Sequence, residues 1–305
     1  MTYLPKKSYN GAFQKQKAKF RLFKDDNLTL QKSKASTVIK AKKEFGQNFL
    51  KDESVLSKII QAIPKGTEQI VEIGVGLGDL TQRLLELARV RAYEIDDELI
   101  PHLRRKFQKQ LENKSLELLN EDASKAFTPN LCSQNYVLVA NLPYYIASKL
   151  VLQALKDSKC EAILVMVQKE VALKFCARAK TSDFCALSVL ARLVSEPNLL
   201  FEVAPSCFEP APKVSSAVMF LQKEREFKDI CDINGFECFL KDCFKAPRKQ
   251  LLSNLKAHKA QISRSLNELD IRANVRAHEL SVKSFLEIYD NVKDYYERRK
   301  PQLAK

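Results

Sequence analysis

Short β-rich runs alternate with helical stretches over residues 69–167, and this alternation constrains the fold more than any other feature of the sequence. Helices are predicted over 79–88, over 97–110 and from 147 onward. Strands that alternate with helices form a mostly parallel, doubly wound α/β sheet with right-handed crossovers. Ligands bind such sheets at the carboxyl ends of the strands, so the residues at those ends are the first candidates for function. The five predicted strands are Gln69–Ile73, Val90–Ile95, Leu116–Leu119, Tyr136–Ala140 and Ala162–Val167.

Composition divides the chain into three regions. Residues 1–40 are basic and polar without a sustained period, which predicts a disordered extension. Residues 41–225 carry the alternating pattern, including two late strands that we expect to pair antiparallel at the sheet edge, Leu200–Val203 and Ser216–Leu221. Residues 226–305 lose the β-rich runs, which predicts a small helical C-terminal domain. Its amphipathic segments are Gly235–Phe244, Pro247–Lys256, Gln261–Leu269 and Val282–Tyr296.

The formal net charge of +14 is concentrated at the two ends of the chain. Residues 1–43 carry +10 and residues 241–305 carry +7, which leaves −3 for the residues between them. A near-neutral body with basic ends favours a polyanionic partner such as nucleic acid. The alternative is a set of solvated basic surfaces with no such partner.

Metal binding, membrane insertion and export are not indicated by the sequence. None of the eight cysteines forms a C-x-x-C pair, and the three histidines do not lie at ligand spacing from them, so we expect no metal. No apolar run reaches the roughly 18 residues of a membrane span, and the N-terminus lacks the apolar core of a signal peptide. We therefore expect a cytoplasmic monomer with reduced thiols and no membrane partner.

Three successive strand ends carry residues that suit a nucleoside cofactor. The glycines of Val71–Gly78, among them Gly74 and Gly76, permit a tight turn and close approach of a ligand to the backbone. Glu94 ends the second strand, where a carboxylate can accept hydrogen bonds from both ribose hydroxyls. Asp122 follows the third strand and can accept one from an adenine amine. The last glycine of the dinucleotide fingerprint is missing, so the pattern favours S-adenosylmethionine over a dinucleotide, with a ligand-free turn as the other alternative.

The fourth predicted strand ends in Asn141-Leu142-Pro143-Tyr144. The N6 amine of adenine is a poor nucleophile because its lone pair is delocalised into the ring. Acceptors aimed at its two hydrogens favour a tetrahedral nitrogen, and the Asn141 side-chain oxygen and the Leu142 carbonyl suit that task. Pro143 fixes φ and helps to aim the carbonyl, while Tyr144 offers a ring on which a flipped base can stack. These four are the candidate catalytic residues, and the alternative is a strand-ending turn with an Asx cap.

With these residues placed, the chain closely resembles the bacterial small-subunit ribosomal RNA adenine dimethyltransferases from about residue 42 to residue 289. The motifs that carry the resemblance are Phe45–Leu50, Val71–Thr81, Tyr93–Asp96, Asn120–Ala123, Asn141–Tyr144, Gln168–Val171, Leu187–Val189, Pro205–Val214 and Arg276–Phe285.

The resemblance implies a Rossmann-like class I methyltransferase sheet and a C-terminal domain that binds rRNA. It implies dimethylation of N6 of two adjacent adenosines in the 3′-terminal hairpin loop of small-subunit (16S) rRNA, on the immature subunit and late in its assembly. It also implies that Asn48 and Leu50 close over S-adenosylmethionine and that Phe208 is a second aromatic wall of the base pocket, opposite Tyr144. The further residues that it places at or near the cofactor are Gly74, Glu94, Asp122 and Asn141.

The sequence departs from the family pattern in two places. Val75 stands where the family usually has proline between the first two glycines. Phe184-Cys185-Ala186 stands where an aromatic-Gly-Arg run is common, so any role of that arginine in RNA contact is in doubt here.

Two other functions stay open at this point. Large-subunit rRNA adenine N6-methyltransferases of the resistance type share the fold and the early motifs, but tend to have Ile in place of Leu142. A non-catalytic ribosome-assembly factor on the same fold would only bind, and the intact Asn141–Tyr144, Glu94 and Asp122 speak against it. We expect rRNA contacts from five basic side chains near the C-terminus, namely Lys245, Arg248, Lys249, Arg272 and Arg276.

Overall fold

The structure is a computed structural model that describes residues 41–42, 45–127 and 130–298. The extension predicted over residues 1–40 lies outside the described residues. All described residues belong to one compact unit. No helix within this part of the chain is long and apolar enough to cross a membrane.

The described residues form short strands and helices in alternation. The strands are β1 (Phe49–Leu50), β2 (Gln69–Ile73), β3 (Arg89–Tyr93), β4 (Leu116–Leu119), β5 (Tyr136–Asn141), β6 (Cys160–Gln168), β7 (Ser195–Val203), β8 (Phe208–Glu209) and β9 (Ser216–Lys223). The helices are α1 (Glu53–Ala62), α2 (Asp79–Leu84), α3 (Ile100–Lys106), α4 (Gln108–Glu112), α5 (Ala123–Ala126), α6 (Ala147–Lys156), α7 (Lys169–Cys176), α8 (Ala186–Val194), α9 (Ile233–Cys243), α10 (Leu251–Asn254), α11 (Lys259–Glu268), α12 (Val282–Asp290) and α13 (Lys293–Glu297).

Among the described residues, seven strands form one sheet in the order β4-β3-β2-β5-β6-β9-β7. The first five are parallel to one another, and β9 and β7 are added antiparallel at one edge. The predicted mostly parallel sheet and the antiparallel pairing of the two late strands are therefore confirmed. Because β2, β3 and β5 are parallel, their carboxyl ends lie along the same edge of the sheet.

The central strands of the sheet are buried because they carry apolar side chains on both faces. In β5 the residues from Tyr136 to Ala140 are all buried, and in β6 only Glu161 is exposed. A strand covered by helices on both faces requires such a continuous hydrophobic run. The buried cluster on one face extends into the C-terminal helices through Phe239 and Phe285. The domain boundary predicted near residue 225 stays a prediction, because this core is shared across it.

Several elements differ from the sequence-based expectation. Helix α1 and the two-stranded β1–β8 sheet were not predicted. Asp52 is the N-cap of α1, and its side chain accepts hydrogen bonds from the Ser54 and Val55 amides at 2.8 and 3.0 Å. The helix expected over 247–256 is only the single turn α10. Its start is delayed because Gln250 is extended and forms a β-bridge with Arg276.

We expect Gly78→Ala to destabilise the fold strongly. Gly78 precedes α2 with φ +79°, and a Cβ there would lie 2.6 Å from the ring of the buried Phe107. Left-handed backbone costs a non-glycine residue about 1 kcal/mol or more, and overpacking adds about 1–3 kcal/mol. The free energy of unfolding from urea titrations measures the loss.

Gly66→Ala is the matched control for this prediction. Gly66 has φ +81°, but nothing lies within 4 Å of the position that its Cβ would take. It should therefore show only the backbone cost of about 1 kcal/mol. Equal losses in the two variants would contradict the packing argument at Gly78.

Candidate active site

The carboxyl ends of β2, β3 and β5 border a cavity of about 840 Å³ that is partly open to solvent. Residues 45–50, which we call the strap, also line this cavity. The structure brings most of the predicted site residues together around this cavity: Asn48, Leu50, Gly74, Gly76, Glu94, Asn141, Leu142, Pro143 and Tyr144.

The glycine-rich turn after β2 is held by Glu94, the acid that immediately follows β3. Gly74 and Gly76 have φ values of +78° and +59°, so both need the left-handed backbone that glycine adopts freely. The Gly76 amide donates a hydrogen bond to Glu94 Oε2 at 2.9 Å. A Cβ on Gly76 would lie 3.0 Å from the ring of Phe49. Glycine therefore lets the turn and the strap approach each other closely.

Glu94 is buried, and backbone amides hold both of its oxygens. The Asp96 amide donates to Oε1 at 2.9 Å, and Oε2 accepts from the turn. Burial raises the pKa of Glu94, and the hydrogen bonds from the amides oppose that rise. A carboxylate fixed in this way keeps further lone pairs free, since each oxygen can accept two hydrogen bonds.

Glu72 also lines the cavity, and sequence analysis did not identify it as a site residue. Its side chain is fully buried in β2, and Oε2 has no hydrogen-bond partner among the described residues. Burial raises the pKa of this carboxyl from 4.5 to about 8. The available signal was a charged residue among the apolar residues Ile70, Val71 and Ile73 of β2, since burial of an acid is costly.

The tetrapeptide that ends β5 faces the cavity with defined hydrogen bonds. The Asn141 side-chain nitrogen donates to the Asn48 carbonyl at 3.1 Å, which leaves the Asn141 side-chain oxygen for another donor. The Leu142 amide donates to the Met166 carbonyl at 3.0 Å, so this backbone is anchored to β6. The hydroxyls of Tyr144 and Ser216 lie 2.6 Å apart, which restricts the orientation of the Tyr144 ring.

Two predicted site residues do not line the cavity. Asp122 is the N-cap of α5 and accepts a hydrogen bond from the Ser124 amide at 2.9 Å. Phe208 is buried in β8, where it is paired with Leu50 of β1. The expected contact of Asp122 with an adenine amine and the expected role of Phe208 as a base-pocket wall both stay predictions.

A second cavity, of about 780 Å³, is basic and lies in the C-terminal helical region. Four of the five predicted rRNA-contact residues line it, and Lys245 does not. Glu279 also lines it, pairs with Arg272 and accepts a hydrogen bond from the Arg276 amide. The four basic side chains at this cavity are Arg248, Lys249, Arg272 and Arg276.

The residues around the first cavity fit S-adenosylmethionine. That molecule carries a sulfonium and an ammonium, and the buried Glu72 oxygen that lacks a partner is a group that such cations stabilise. Gly74 and Gly76 leave the backbone of the turn accessible to a ligand. Within the described residues, no group of His, Cys, Asp and Glu could hold a metal ion. All eight cysteines are free.

We expect Glu72→Gln to stabilise the ligand-free protein increasingly as the pH rises from about 4.5 to about 8. The pKa of Glu72 is raised in the folded state, so folding stability is fully present below the unfolded pKa and is lost as pH rises through the folded pKa. Glutamine does not ionise and escapes this loss. One pKa unit corresponds to about 1.4 kcal/mol, so the difference at high pH should reach a few kcal/mol.

Urea titrations at several pH values measure this difference. The exposed Glu161 of β6 provides the control, because Glu161→Gln should give no comparable pH-dependent gain. The pH values 5 and 9 bracket the pKa of about 8. If the stability difference between Glu72→Gln and the natural protein is the same at both, Glu72 does not have a raised pKa in the folded state.

Comparison with known proteins agrees with this arrangement of residues. The sequence model of the ribosomal RNA adenine dimethylase family matches residues 38–294. A protein of Campylobacter jejuni described as ribosomal RNA small subunit methyltransferase A is 55% identical over 262 residues, which cover 86% of this chain and 98% of that protein.

Solved structures show the same fold. A dimethyladenosine transferase from Plasmodium falciparum superposes with a TM-score of 0.70 at 27% identity, covering 81% of this chain and 98% of the other. The 23S rRNA methyltransferase ErmE gives a TM-score of 0.62 at 24% identity, covering 80% and 99%, and shares the fold. The chain described here belongs to the ribosomal RNA adenine dimethylase family.

Proposed function

We propose that this chain transfers methyl groups from S-adenosylmethionine to N6 of two adjacent adenosines in the 3′-terminal hairpin loop of small-subunit rRNA, late in subunit assembly. The observation that carries this proposal is the presence of Asn141–Tyr144 in the same cavity as the glycine turn and Glu94. Asn141 and Leu142, which can accept hydrogen bonds from an amine, thus lie beside the glycine turn and Glu94, which suit a nucleoside cofactor. Membership of the family supports the substrate class.

The residues of this chain orient the target adenine and its amine. When bound, S-adenosylmethionine supplies an electrophilic methyl group. The Asn141 side-chain oxygen and the Leu142 carbonyl accept hydrogen bonds from the two amine hydrogens and so favour a tetrahedral nitrogen. Tyr144, held by Ser216, offers its ring to the flipped adenine, and stacking of this kind is worth about 1–3 kcal/mol. Phe208 is buried in β8 beside Leu50 and does not line this cavity, so its role as the second wall of the base pocket rests on the family resemblance alone.

Other residues of the cavity would hold the cofactor. The turn at Gly74 and Gly76 would accommodate its methionine part, and Glu94 would accept hydrogen bonds from the ribose hydroxyls. Asp122 would meet the adenine amine from the start of α5. Asn48 and Leu50 cover the cofactor from the strap. No general base is required, because the methylated ammonium loses its proton readily to water.

A binding-only assembly factor is the competing function. It requires no acceptor aimed at an amine, whereas Asn141 lines the cavity and, within the described residues, directs its side-chain nitrogen rather than its oxygen to the strap. The deciding experiment measures the transfer of labelled methyl groups to immature small subunits by the purified protein. Subunit binding without methyl transfer would overturn the proposal, and transfer to large-subunit rRNA instead would favour the resistance-type activity.

Asn141→Ala should abolish methyl transfer while cofactor binding largely survives. The acceptor that is lost serves mainly the target amine, and removal of one preorganised polar group costs on the order of a hundredfold or more in kcat. Single-turnover methylation and calorimetric titration with S-adenosylmethionine measure the two effects. The matched control is Asn135→Ala, since Asn135 is exposed and immediately precedes β5. Normal turnover by Asn141→Ala would show that the tetrapeptide has another role.

The four basic residues of the second cavity should contact rRNA phosphates. Affinity for rRNA should fall steeply with salt, because each neutralised phosphate releases counterions. The double change Arg248→Gln and Lys249→Gln should lower the slope of log K against log salt by about one for each lost contact. Lys283→Gln and Lys293→Gln form the control pair, since these exposed lysines pair with Glu287 and Asp290. A slope that is unchanged in the first variant would place the rRNA elsewhere.

A further inference from the structure

The strap is tied to the body of the protein by a buried carboxylate. The Asp96 side chain is almost completely buried just after β3. Its Oδ1 accepts from Lys42 Nζ at 2.7 Å, and its Oδ2 accepts from Gln47 Nε2 at 2.8 Å. Gln47 Oε1 in turn accepts from the Lys42 amide at 2.7 Å. Asp96 thus joins Lys42 and Gln47, which lie about fifty positions earlier in the sequence, in a closed network around the start of the strap.

The charge of Asp96 is stabilised by these partners. Burial alone would raise the pKa of Asp96, but the hydrogen bonds from Lys42 and Gln47 outweigh it and hold the pKa below its ordinary value. Hydrogen bonding to Asp96 likewise raises the pKa of Lys42. Glu98, at 3.1 Å from Lys42 Nζ, is the second acid that faces this lysine. Both members of the ion pair are therefore charged at neutral pH.

The strap reaches the target site through one backbone carbonyl. The Asn48 carbonyl accepts from the Asn141 side-chain nitrogen at 3.1 Å, while the Asn48 side chain donates to the Gly46 carbonyl within the strap. A side-chain amide has a nitrogen that only donates and an oxygen that only accepts. Because Asn48 engages the nitrogen, the Asn141 oxygen is the atom presented to the target amine.

We propose that Asp96 is a positioning residue for methyl transfer, which acts by clamping the strap so that the Asn48 carbonyl orients the Asn141 amide. This inference rests on the proposed function of Asn141 as an acceptor for the target amine. Asp96 itself touches neither the amine nor the cofactor in this scheme. Loss of the clamp frees the amide to turn, so that its nitrogen faces the amine part of the time and cannot accept a hydrogen bond.

Two simpler roles predict different results. If Asp96 only stabilises the fold, variants lose stability while the folded protein keeps its kcat. If the strap only covers the cofactor, variants raise the KM for S-adenosylmethionine, and saturating cofactor restores the rate. Orientation of Asn141 predicts a loss of kcat that saturating cofactor does not restore, since misplacement of reacting groups by about 1 Å can cost up to a hundredfold.

The experiment compares methyl transfer to immature small subunits by Asp96→Asn, Lys42→Met and the double variant, all at saturating cofactor. We expect each single variant to lose about tenfold or more in kcat. The kcat of the double variant should be little lower than that of the less active single variant, because both changes open the same clamp. Lys42→Arg keeps the charge and the donors and should retain most of the activity.

Glu117→Gln is the control for loss of an ion pair, since Glu117 on β4 pairs with Arg91 on β3 at 2.8 Å and does not line the cavity. It should keep the natural kcat. Additive losses, or a kcat that saturating cofactor restores in full, would overturn the proposal.

A second measurement does not depend on activity. In ¹⁵N-labelled protein, the Asn141 side-chain NH₂ signals, assigned by their absence from Asn141→Ala, should shift and exchange faster with water in Asp96→Asn. Unchanged signals would refute the clamp. If the natural protein methylates no rRNA at all, the proposed function fails, and these signals still decide whether Asp96 orients Asn141.

Discussion

The parallel arrangement of β2, β3 and β5 is the constraint on which the rest of the site depends. Parallel strands end along one edge of the sheet, so the glycine turn, Glu94 and Asn141 meet there although they are far apart in the sequence. The arrangement requires strands buried on both faces, which the apolar runs of β5 and β6 provide. Polar residues appear where these runs stop. The chemistry of the cavity is therefore a consequence of where the hydrophobic runs end.

The strap adds what the sheet edge alone lacks. An open edge would expose Asn141 to water on one side, and its amide could then take either orientation. Residues of the strap close that side, and β1 pairs with β8, so Leu50 and Phe208 are adjacent. The strap is expected to cover the cofactor, and Phe208 of β8 is expected to form a wall of the base pocket. These two segments are thus paired with each other through β1 and β8. The pairing of β1 with β8 therefore connects the two halves of the site.

Sequence patterns predicted the sheet, its antiparallel edge and most of the cavity because these follow from local periodicity and from strand ends. Glu72 was not predicted as a site residue because it lies in the Val71–Gly78 motif, whose function was attributed to its glycines. The Asn141–Asn48 contact could not be predicted, since it joins residues 93 positions apart through a backbone carbonyl that carries no sequence signal. The same holds for α10, which a β-bridge to Arg276 shortens. Tertiary contacts, rather than local propensity, decided these features.

The pKa values of the three acids near the cavity are shifted differently, lowered for Asp96 and raised for Glu72 and Glu94, because their surroundings differ. Asp96 has a lysine and stays ionised, while Glu72 has no partner on one oxygen and a pKa of about 8. The charge of Glu94 further raises the pKa of Glu72, so the ligand-free cavity avoids two adjacent buried charges. A cationic ligand would remove that penalty and favour ionised Glu72. Binding of a cation beside Glu72 and loss of a proton from Glu72 are then thermodynamically linked, because the cation supplies a charged partner for the carboxylate.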